Sequence, residues 1–309
     1  MAGATQDGQL AITTQELQAM AGKSWVAAHA WPAIRKFIVT KPLGAIGGAV
    51  ILLMVLTAIF ADVLAPYDPY EIRQILQFKP PSPAHWLGTD EFGRDLLTRL
   101  IYGSRIALFI GLTAAFVGAT AGAVLGVVSA YLGGKVDLIM QRIMDVMLAF
   151  PLLILALAIV SVLGRSLPNV VLAIAIPIIP RTTRIVRSSA LSIKEHVYVE
   201  AARAVGSSHP WVILRHIIPN VMAPYLIMLT AQFGNAILVE ASLSFLGLGT
   251  AEPTPSWGLM LSGGAVAYAE KAPWVAIFPG LAISLAVFGF NLFGDSLRDA
   301  LDPKLRHRT

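Results

Sequence analysis

The chain has 309 residues, of which 56% are hydrophobic and only 13% are charged. A soluble domain carries about 25% charged residues, so this composition, with its mean hydropathy of +0.70, excludes an ordinary soluble protein and predicts a polytopic membrane protein. The absence of cysteine excludes disulfides, thiolate metal sites and cysteine nucleophiles. The net charge of +5 is typical of basic residues kept on the cytosolic side of a membrane, rather than of nucleic-acid binding.

Six apolar segments are long enough, at about 20 residues each, to cross a bilayer as helices. They cover residues 43–64, 106–132, 139–163, 168–190, 218–243 and 274–293. The sequence therefore predicts an all-α fold with six transmembrane helices. The first 41 residues are polar and lack a cleavable signal pattern, so the first span is expected to act as an uncleaved anchor.

The placement of lysine and arginine predicts that both termini are cytosolic, because most of the 23 basic residues then lie on the cytosolic side. Three parts follow from this topology. Residues 1–41 form a cytosolic tail, and residues 42–104 form the first span and an extracytoplasmic loop. Residues 105–309 form a core domain with the other five spans.

The loop over residues 65–105 is predicted to lie outside the cell. Its first half contains five prolines, which disfavour helix interiors. In its second half, Thr89 is expected to cap a helix, and Asp90 and Glu91 suit the positive end of the helix dipole. The apolar residues Phe92 and Leu96 begin one face of this helix. We therefore predict an interfacial helix that leads into the second span.

Two of the spans contain patterns that predict contacts. Gly118, Gly122 and Gly126 in the second span allow another helix to approach closely. In the fourth span Arg181, Arg184 and Arg187 are spaced three residues apart on one face, so the helix is expected to continue into the cytosol with its arginines toward headgroups, water or a partner protein. Pro177 and Pro180 in the same span are candidates for a kink.

The polar segment between the fourth and fifth spans, residues 191–217, predicts two short helices. The first covers 194–205 and stops at Gly206, which suits a left-handed C-terminal cap. Ser207 or Ser208 caps the second helix, 210–216, and Pro219 opens the fifth span. A helix this short is marginal by itself. It needs either a partner's groove or packing on the membrane or its own bundle.

Several motifs in the chain are similar to one known family. Glu200-Ala201-Ala202, followed by Gly206, Ile217 and Pro219, resembles the "EAA" loop of binding-protein-dependent ABC importer permeases. Residues 85–95, 99–105, 240–258 and 294–303 also resemble segments of peptide and nickel permeases. The similarity extends from about residue 35 to the end of the chain. It indicates the C-type permease subunit of dipeptide, oligopeptide or nickel importers.

The resemblance implies a type I ABC importer permease fold with a cytosolic coupling helix that docks on a separate ATPase. The residues that carry this role over are Glu200, Ala201, Ala202, Gly206, Pro210, Trp211, Leu214 and Arg215. The implied partners are a second, homologous permease in a heterodimer, two cytosolic ATPases and an extracytoplasmic solute-binding protein. ATP and magnesium would bind the ATPases, with no cofactor on this chain. The location would be the inner membrane of a bacterium or archaeon.

Four polar residues lie within predicted spans, namely Gln232, Asn235, Glu240 and Asn291. Hydrogen bonds between helices are the simplest role for such groups, and a lining of the transport path is the alternative. Glu240 follows Ile218 by 22 residues, or about 33 Å of helix. It is therefore expected near the outer end of the fifth span, where capping or pairing is favoured over contact with cargo.

The chain is not expected to be an enzyme. Gly22-Lys23-Ser24 resembles the end of a phosphate-binding loop, but Leu17 occupies the position of its first glycine. Asp137 and Asp145 do not form an intramembrane protease, because Asp137 belongs to a short cytosolic loop. The alternative function is an ATP-independent channel or secondary carrier, and a membrane scaffold is a third. A carrier would need charges along its path or an inverted repeat. The cargo is left open.

Overall fold

The computed structural model describes residues 35, 37–262, 268 and 270–301. Within this part the chain is helical without strands, and its one isolated bridge joins Thr89 and Asp95. The predicted all-α fold is confirmed. The predicted cytosolic tail lies almost wholly outside the described residues, as do Gly22-Lys23-Ser24.

The helices follow one another with short connections, except for the long segment before the third. They are α1 (Pro42–Ile59), α2 (Ala61–Leu64), α3 (Leu96–Leu132), α4 (Gly134–Leu148), α5 (Leu152–Leu163), α6 (Leu167–Lys194), α7 (Val197–Ala204), α8 (His209–Val212), α9 (Ile218–Phe245), α10 (Trp257–Leu261) and α11 (Trp274–Leu301). Five helical stretches are long and apolar enough to cross a membrane, and α4 with α5 makes a sixth if this bent pair counts as one span.

A row of glycines brings α3 and α6 into backbone contact. Glycines four residues apart share one helix face. The contacts, measured from an added Cβ to a carbonyl oxygen, are Gly118 to Ala175 at 2.5 Å, Gly122 to Ile179 at 2.6 Å and Gly126 to Thr183 at 2.7 Å. A real side chain would push these carbonyls away, so only glycine permits the approach. The close packing predicted for this glycine row is confirmed.

Two apolar cores lie on either side of α3. One joins α3 to α5, α6 and α9 around Ile110, Ile174 and Leu243. The other joins it to α1, α9 and α11 around Leu96 and Ile237. We call the side of the bundle that carries residues 65–95 the distal side, and the opposite side, which carries residues 195–217, the loop side. On the loop side the start of α1 meets the end of α11, where Lys41 and Asp299 form an ion pair of 2.8 Å.

The predicted third span is not a single straight helix. Residues 139–163 are divided between α4 and α5, which meet at an angle of 92°. Pro151 explains the break, since it has no N–H to donate and its ring excludes the carbonyl four residues earlier. Two ion pairs hold α4 against α6: Arg187 binds Asp137 through two contacts of 2.6 and 2.5 Å, and Arg184 binds Asp145. These pairs also give two of the three α6 arginines a specific partner.

The second helix prediction was wrong about where α3 begins. Asp95, and not Thr89, is the N-cap, and its carboxylate accepts the backbone N–H of Thr98 at 2.8 Å. Thr89 is instead buried in the preceding loop, where its hydroxyl accepts the N–H of Lys79. From Leu96 the helix runs without interruption to Leu132. There is no separate interfacial helix, and the boundary predicted at residues 104/105 falls inside α3.

The fourth span shows no break at its prolines. α6 is continuous from Leu167 to Lys194 and contains both Pro177 and Pro180. Ser166 caps its first turn by accepting the N–H of Asn169 at 3.4 Å. The helix therefore extends past the predicted end at residue 190, as expected for a helix that leaves the membrane.

A buried group of charges fixes the distal side. Arg94 donates to Asp90 at 2.6 Å and to Glu252 at 2.9 Å, and Arg99 lies 3.7 Å from Asp90. Burial by itself would lower the pKa of Arg94, but the hydrogen bond to Glu252 and the charge of Asp90 raise it above the usual value. Arg94 is therefore charged, and it joins the loop before α3 to the loop after α9. Sequence analysis assigned Asp90 only to a helix dipole.

We expect Gly122→Leu to destabilise the protein by at least about 2 kcal/mol, because the new side chain overpacks the contact with α6. The matched control is Gly280→Leu in α11, where an added Cβ has no heavy atom within 4 Å. Thermal unfolding of the detergent-purified variants measures the difference. Equal unfolding temperatures for the two variants would show that the α3–α6 contact is not tight.

Candidate functional site

The segment between α6 and α9 forms a compact loop of two short helices, as predicted, with a different start. The first helix, α7, begins at Val197 and not at residue 194. Residues Glu195 and His196 form a turn, and the extended backbone of His196 acts as N-cap. This turn lets α7 leave the axis of α6. Glu200 lies in the first turn of α7, where its negative charge suits the helix dipole.

Gly206 ends α7 with the geometry that the sequence predicts. Its φ angle is +81°, in the left-handed region that glycine adopts without strain. The N–H of Ser207 donates to the carbonyl of Ala202 at 3.1 Å, and the N–H of Gly206 to that of Arg203 at 2.9 Å. These are the two bonds of a Schellman motif. An added Cβ on Gly206 would meet no atom within 4 Å, so backbone conformation, and not space, calls for glycine.

The second short helix is not separate from the fifth span, which corrects the prediction that Pro219 opens that span. α8 passes through a π-helical turn, Ile213–Ile217, directly into α9, and His209–Phe245 is one stretch of 37 residues. The N–H of Ile218 donates to the carbonyl of Ile213, five residues back. Proline cannot donate and clashes with the carbonyl four residues before it, and the wider π turn accommodates Pro219 without a break.

The outer face of the loop is exposed and largely apolar. Of the predicted coupling residues, Glu200, Ala201, Gly206, Pro210, Trp211, Leu214 and Arg215 are exposed, and Ala202 is half-buried. Trp211 exposes 48% of its surface and Leu214 65%. A tryptophan and a leucine exposed beside an arginine are typical of a contact surface for another protein.

The inner face of the loop is anchored in the bundle. Val199, Val212 and Ile217 are fully buried. They pack in one cluster with Val186 and Ala190 of α6. The loop is therefore firmly seated on the ends of α3, α6 and α9, and its exposed face has a fixed position.

Tyr131, one residue before the end of α3, connects the loop to the bundle through three groups. Its hydroxyl lies 2.8 Å from Nδ1 of His209 at the start of α8. The guanidinium of Arg203 in α7 lies 4.9 Å from its ring centre, within cation–π range. Lys194, at the end of α6, donates to the carbonyl of Tyr131 at 2.9 Å. Sequence analysis missed Tyr131, because nothing in its local pattern distinguishes it from other interfacial tyrosines.

The polar residues predicted within spans are divided between two cavities and the protein interior. Gln232 and Asn235 hydrogen-bond to one another at 3.3 Å and line a cavity of about 410 Å³ that also contains Arg181. Asn291 lines a different cavity, of about 490 Å³, with Asp295 and Arg298. The structure thus brings Gln232 and Asn235 together, and it places Asn291 apart from them.

Glu240 is buried, with 1% of its surface exposed, and it lines neither cavity. Its carboxylate accepts hydrogen bonds from Ser244 at 2.7 Å and from Ser256 at 2.9 Å. These bonds tie the distal end of α9 to the segment before α10. In the part of the chain that the structure describes, no group of three or more His, Asp or Glu residues could hold a metal ion.

Two family models match the chain. The family described as "Binding-protein-dependent transport system inner membrane component" matches residues 122–307. The family described as "N-terminal TM domain of oligopeptide transport permease C" matches residues 32–81. The two matches together include the loop, all of the predicted intramembrane polar residues and the first span.

Relatives of similar length come from several bacteria. The chain is 43% identical to the dipeptide transport system permease protein DppC of Alkalihalophilus pseudofirmus, over 91% of this chain and 92% of that protein. It is 43% identical to the probable D,D-dipeptide transport system permease protein DdpC of Escherichia coli, over 85% and 88%. It is 44% identical to the glutathione transport system permease protein GsiD of Pectobacterium atrosepticum, over 84% and 86%.

A solved structure shares the fold. The superposition on a chain of the inward-facing MetNI methionine ABC transporter has a TM-score of 0.54 and covers 66% of this chain and 96% of that one. The sequences are only 16% identical, so this likeness concerns the fold alone.

Removal of the Tyr131 hydroxyl should loosen the loop. In Tyr131→Phe we expect amide hydrogen exchange over residues 209–217 to become about fivefold faster, because a hydrogen bond worth about 1 kcal/mol is lost. Tyr67→Phe is the control, since Tyr67 donates to Ala84 on the distal side at 2.7 Å. If both variants exchange at the same rate in this segment, the bond to His209 does not hold the loop.

Proposed function

This chain belongs to the family of binding-protein-dependent transport system inner membrane components, the membrane-spanning permease subunits of ABC importers, and we propose that its cargo is a short peptide. The observation that carries the proposal is the similarity, over more than four fifths of the chain, to permeases named for dipeptide, D,D-dipeptide and glutathione transport. Glutathione is itself a small peptide. Nickel, which the sequence resemblance also allows, stays a prediction.

We propose that the exposed face of the α7–α8 loop binds a separate cytosolic ATPase. The coupling residues in this proposal are the eight predicted ones, with Trp211 and Leu214 as apolar anchors and Arg215 as a charged contact. Support comes from the exposure of these side chains and from the buried inner face, which holds them in place. ATP and magnesium would bind the ATPase, and hydrolysis would occur there.

The rest of the assembly follows the same proposal. A second, homologous permease pairs with this one to enclose the path, two ATPases bind from the cytosol, and a solute-binding protein delivers cargo on the distal side. The loop side is then cytosolic, and so are both termini. The basic residues of α6 and of the loop on that side agree with this orientation.

Continuity of the helix suggests how the loop acts on the membrane part. Because α8 passes into α9 through the π turn, a displacement of the loop by the ATPase moves α9 directly. Tyr131 and Lys194 pass the same displacement to α3 and α6. The spans then tilt together, which opens the path first to one side of the membrane and then to the other. An ATP-independent channel or carrier is not favoured, since the relatives are components of ATP-driven importers.

Reconstitution of the whole importer with its binding protein tests the cargo and the coupling together. Wild type should accumulate labelled dialanine in proteoliposomes only when ATP is supplied. In Gly206→Asp we expect normal membrane insertion and uptake reduced by about tenfold or more, because a strained turn displaces the coupling helix.

The matched control is Gly247→Asp. Gly247 also has a positive φ, +75°, with no atom within 4 Å of an added Cβ, but it lies on the distal side. Normal uptake by Gly206→Asp would defeat the coupling proposal. Failure of wild type to take up any dipeptide, with a fully assembled importer, would defeat the peptide proposal.

A further inference from the structure

One arginine of α6 has no partner in the part of the chain that the structure describes. Arg184 and Arg187 are bound by Asp145 and Asp137 of α4. Arg181, one turn further toward the distal side, is exposed and makes no ion pair or hydrogen bond with a described residue. A guanidinium is charged at every physiological pH. Arg181 therefore presents an uncompensated positive charge.

The position of Arg181 along the bundle places this charge deep inside the membrane part. It is the fifteenth of the 28 residues of α6. Beside it, Gly122 of α3 contacts Ile179 and Thr182, and Gly122 lies ten residues before the end of α3 at Leu132, which is ~15 Å of helix. Charges at such depth face a water-filled cavity or another polar group, and they mark transport paths.

The cavity at Arg181 has the size and the polar groups of a ligand site. Its volume of about 410 Å³ lies within the range of roughly 300–1,000 Å³ that is usual for small-molecule sites. Gln232 and Asn235 of α9 provide amide groups in the same cavity. The bend between α4 and α5 lies at its wall, where Phe150 and Leu152 are apolar. No acidic residue lines it.

We propose that Arg181, Gln232 and Asn235 form a station in the translocation path that binds the terminal carboxylate of a peptide in transit; this inference rests on the proposed function. A guanidinium accepts a carboxylate through two parallel hydrogen bonds. The amides can donate to and accept from the peptide backbone. The station neutralises the one α6 charge that the described part of the chain leaves unpaired, and it does so only while cargo is present.

A lipid headgroup is a poor partner for Arg181. An arginine that reaches headgroups lies near a helix end, whereas Lys194 at the end of α6 is 13 residues away, or ~20 Å of helix. The two arginines nearer that end already have aspartate partners. A carboxylate that arrives within the path is the remaining chemistry of opposite charge.

Uptake by the reconstituted importer tests the station. In Arg181→Gln, we expect uptake of labelled dialanine to fall by about tenfold or more, since a charge-assisted bond is lost. All subunits should still copurify, and stimulation of ATP hydrolysis by the loaded binding protein should stay within about twofold of wild type. Arg142→Gln is the control, because Arg142 is 76% exposed and only 3.6 Å from Asp145; its uptake should be normal.

The absence of cysteine permits a test of charge by chemical rescue. Modification of Arg181→Cys with aminoethyl methanethiosulfonate restores a cation, and methyl methanethiosulfonate adds a neutral group. Uptake should return only with the cationic reagent, measured against identically treated wild type. Unchanged uptake in Arg181→Gln, equal rescue by both reagents, or loss of the second permease from the complex would each overturn the station. The last result would assign Arg181 to an ion pair between subunits. A wild-type importer without dialanine uptake would instead defeat the proposed function.

Discussion

Backbone contact between α3 and α6 determines where the functional groups of this chain lie. Gly118, Gly122 and Gly126 let the two helices approach within the reach of their carbonyls, and in a membrane such packing stands in for the hydrophobic effect. With these helices fixed, Tyr131 at the end of α3 meets Lys194 at the end of α6. The same contact turns the arginine face of α6 away from α3, toward α4 and the polar cavity.

The coupling loop and the spans form one mechanical unit for a related reason. The loop has a buried face of valine and isoleucine on the bundle and an exposed face of Trp211 and Leu214. The π turn joins it to α9 without a hinge, and Tyr131 holds it to α3. A force on the exposed face is therefore passed to three spans at once. On the distal side, the buried pairing of Arg94 with Glu252 keeps the loops before α3 and after α9 together during such a movement.

Local chemistry allowed much of this structure to be predicted from the sequence. Hydropathy located the spans, and the turn at Gly206 follows from a backbone conformation that only glycine adopts easily. Interactions between distant residues were out of reach: nothing near Arg94 indicates Glu252, 158 residues away. Pro151 and Pro219 show the limit most clearly. Both are prolines in apolar segments, yet one breaks its helix and the other is absorbed by a π turn, because the packing around them differs.

Crosslinking from the loop tests most directly the claim that this permease is driven through its loop. A photoreactive benzoylphenylalanine at Leu214, in the assembled importer, should form a crosslink to the ATPase subunit. The same group at Val162, which is 86% exposed at the distal end of α5, should not. Crosslinks from Leu214 to the ATPase alone would support the account. Crosslinks from Leu214 only to this chain or to lipid, in a complex that hydrolyses ATP, would contradict it.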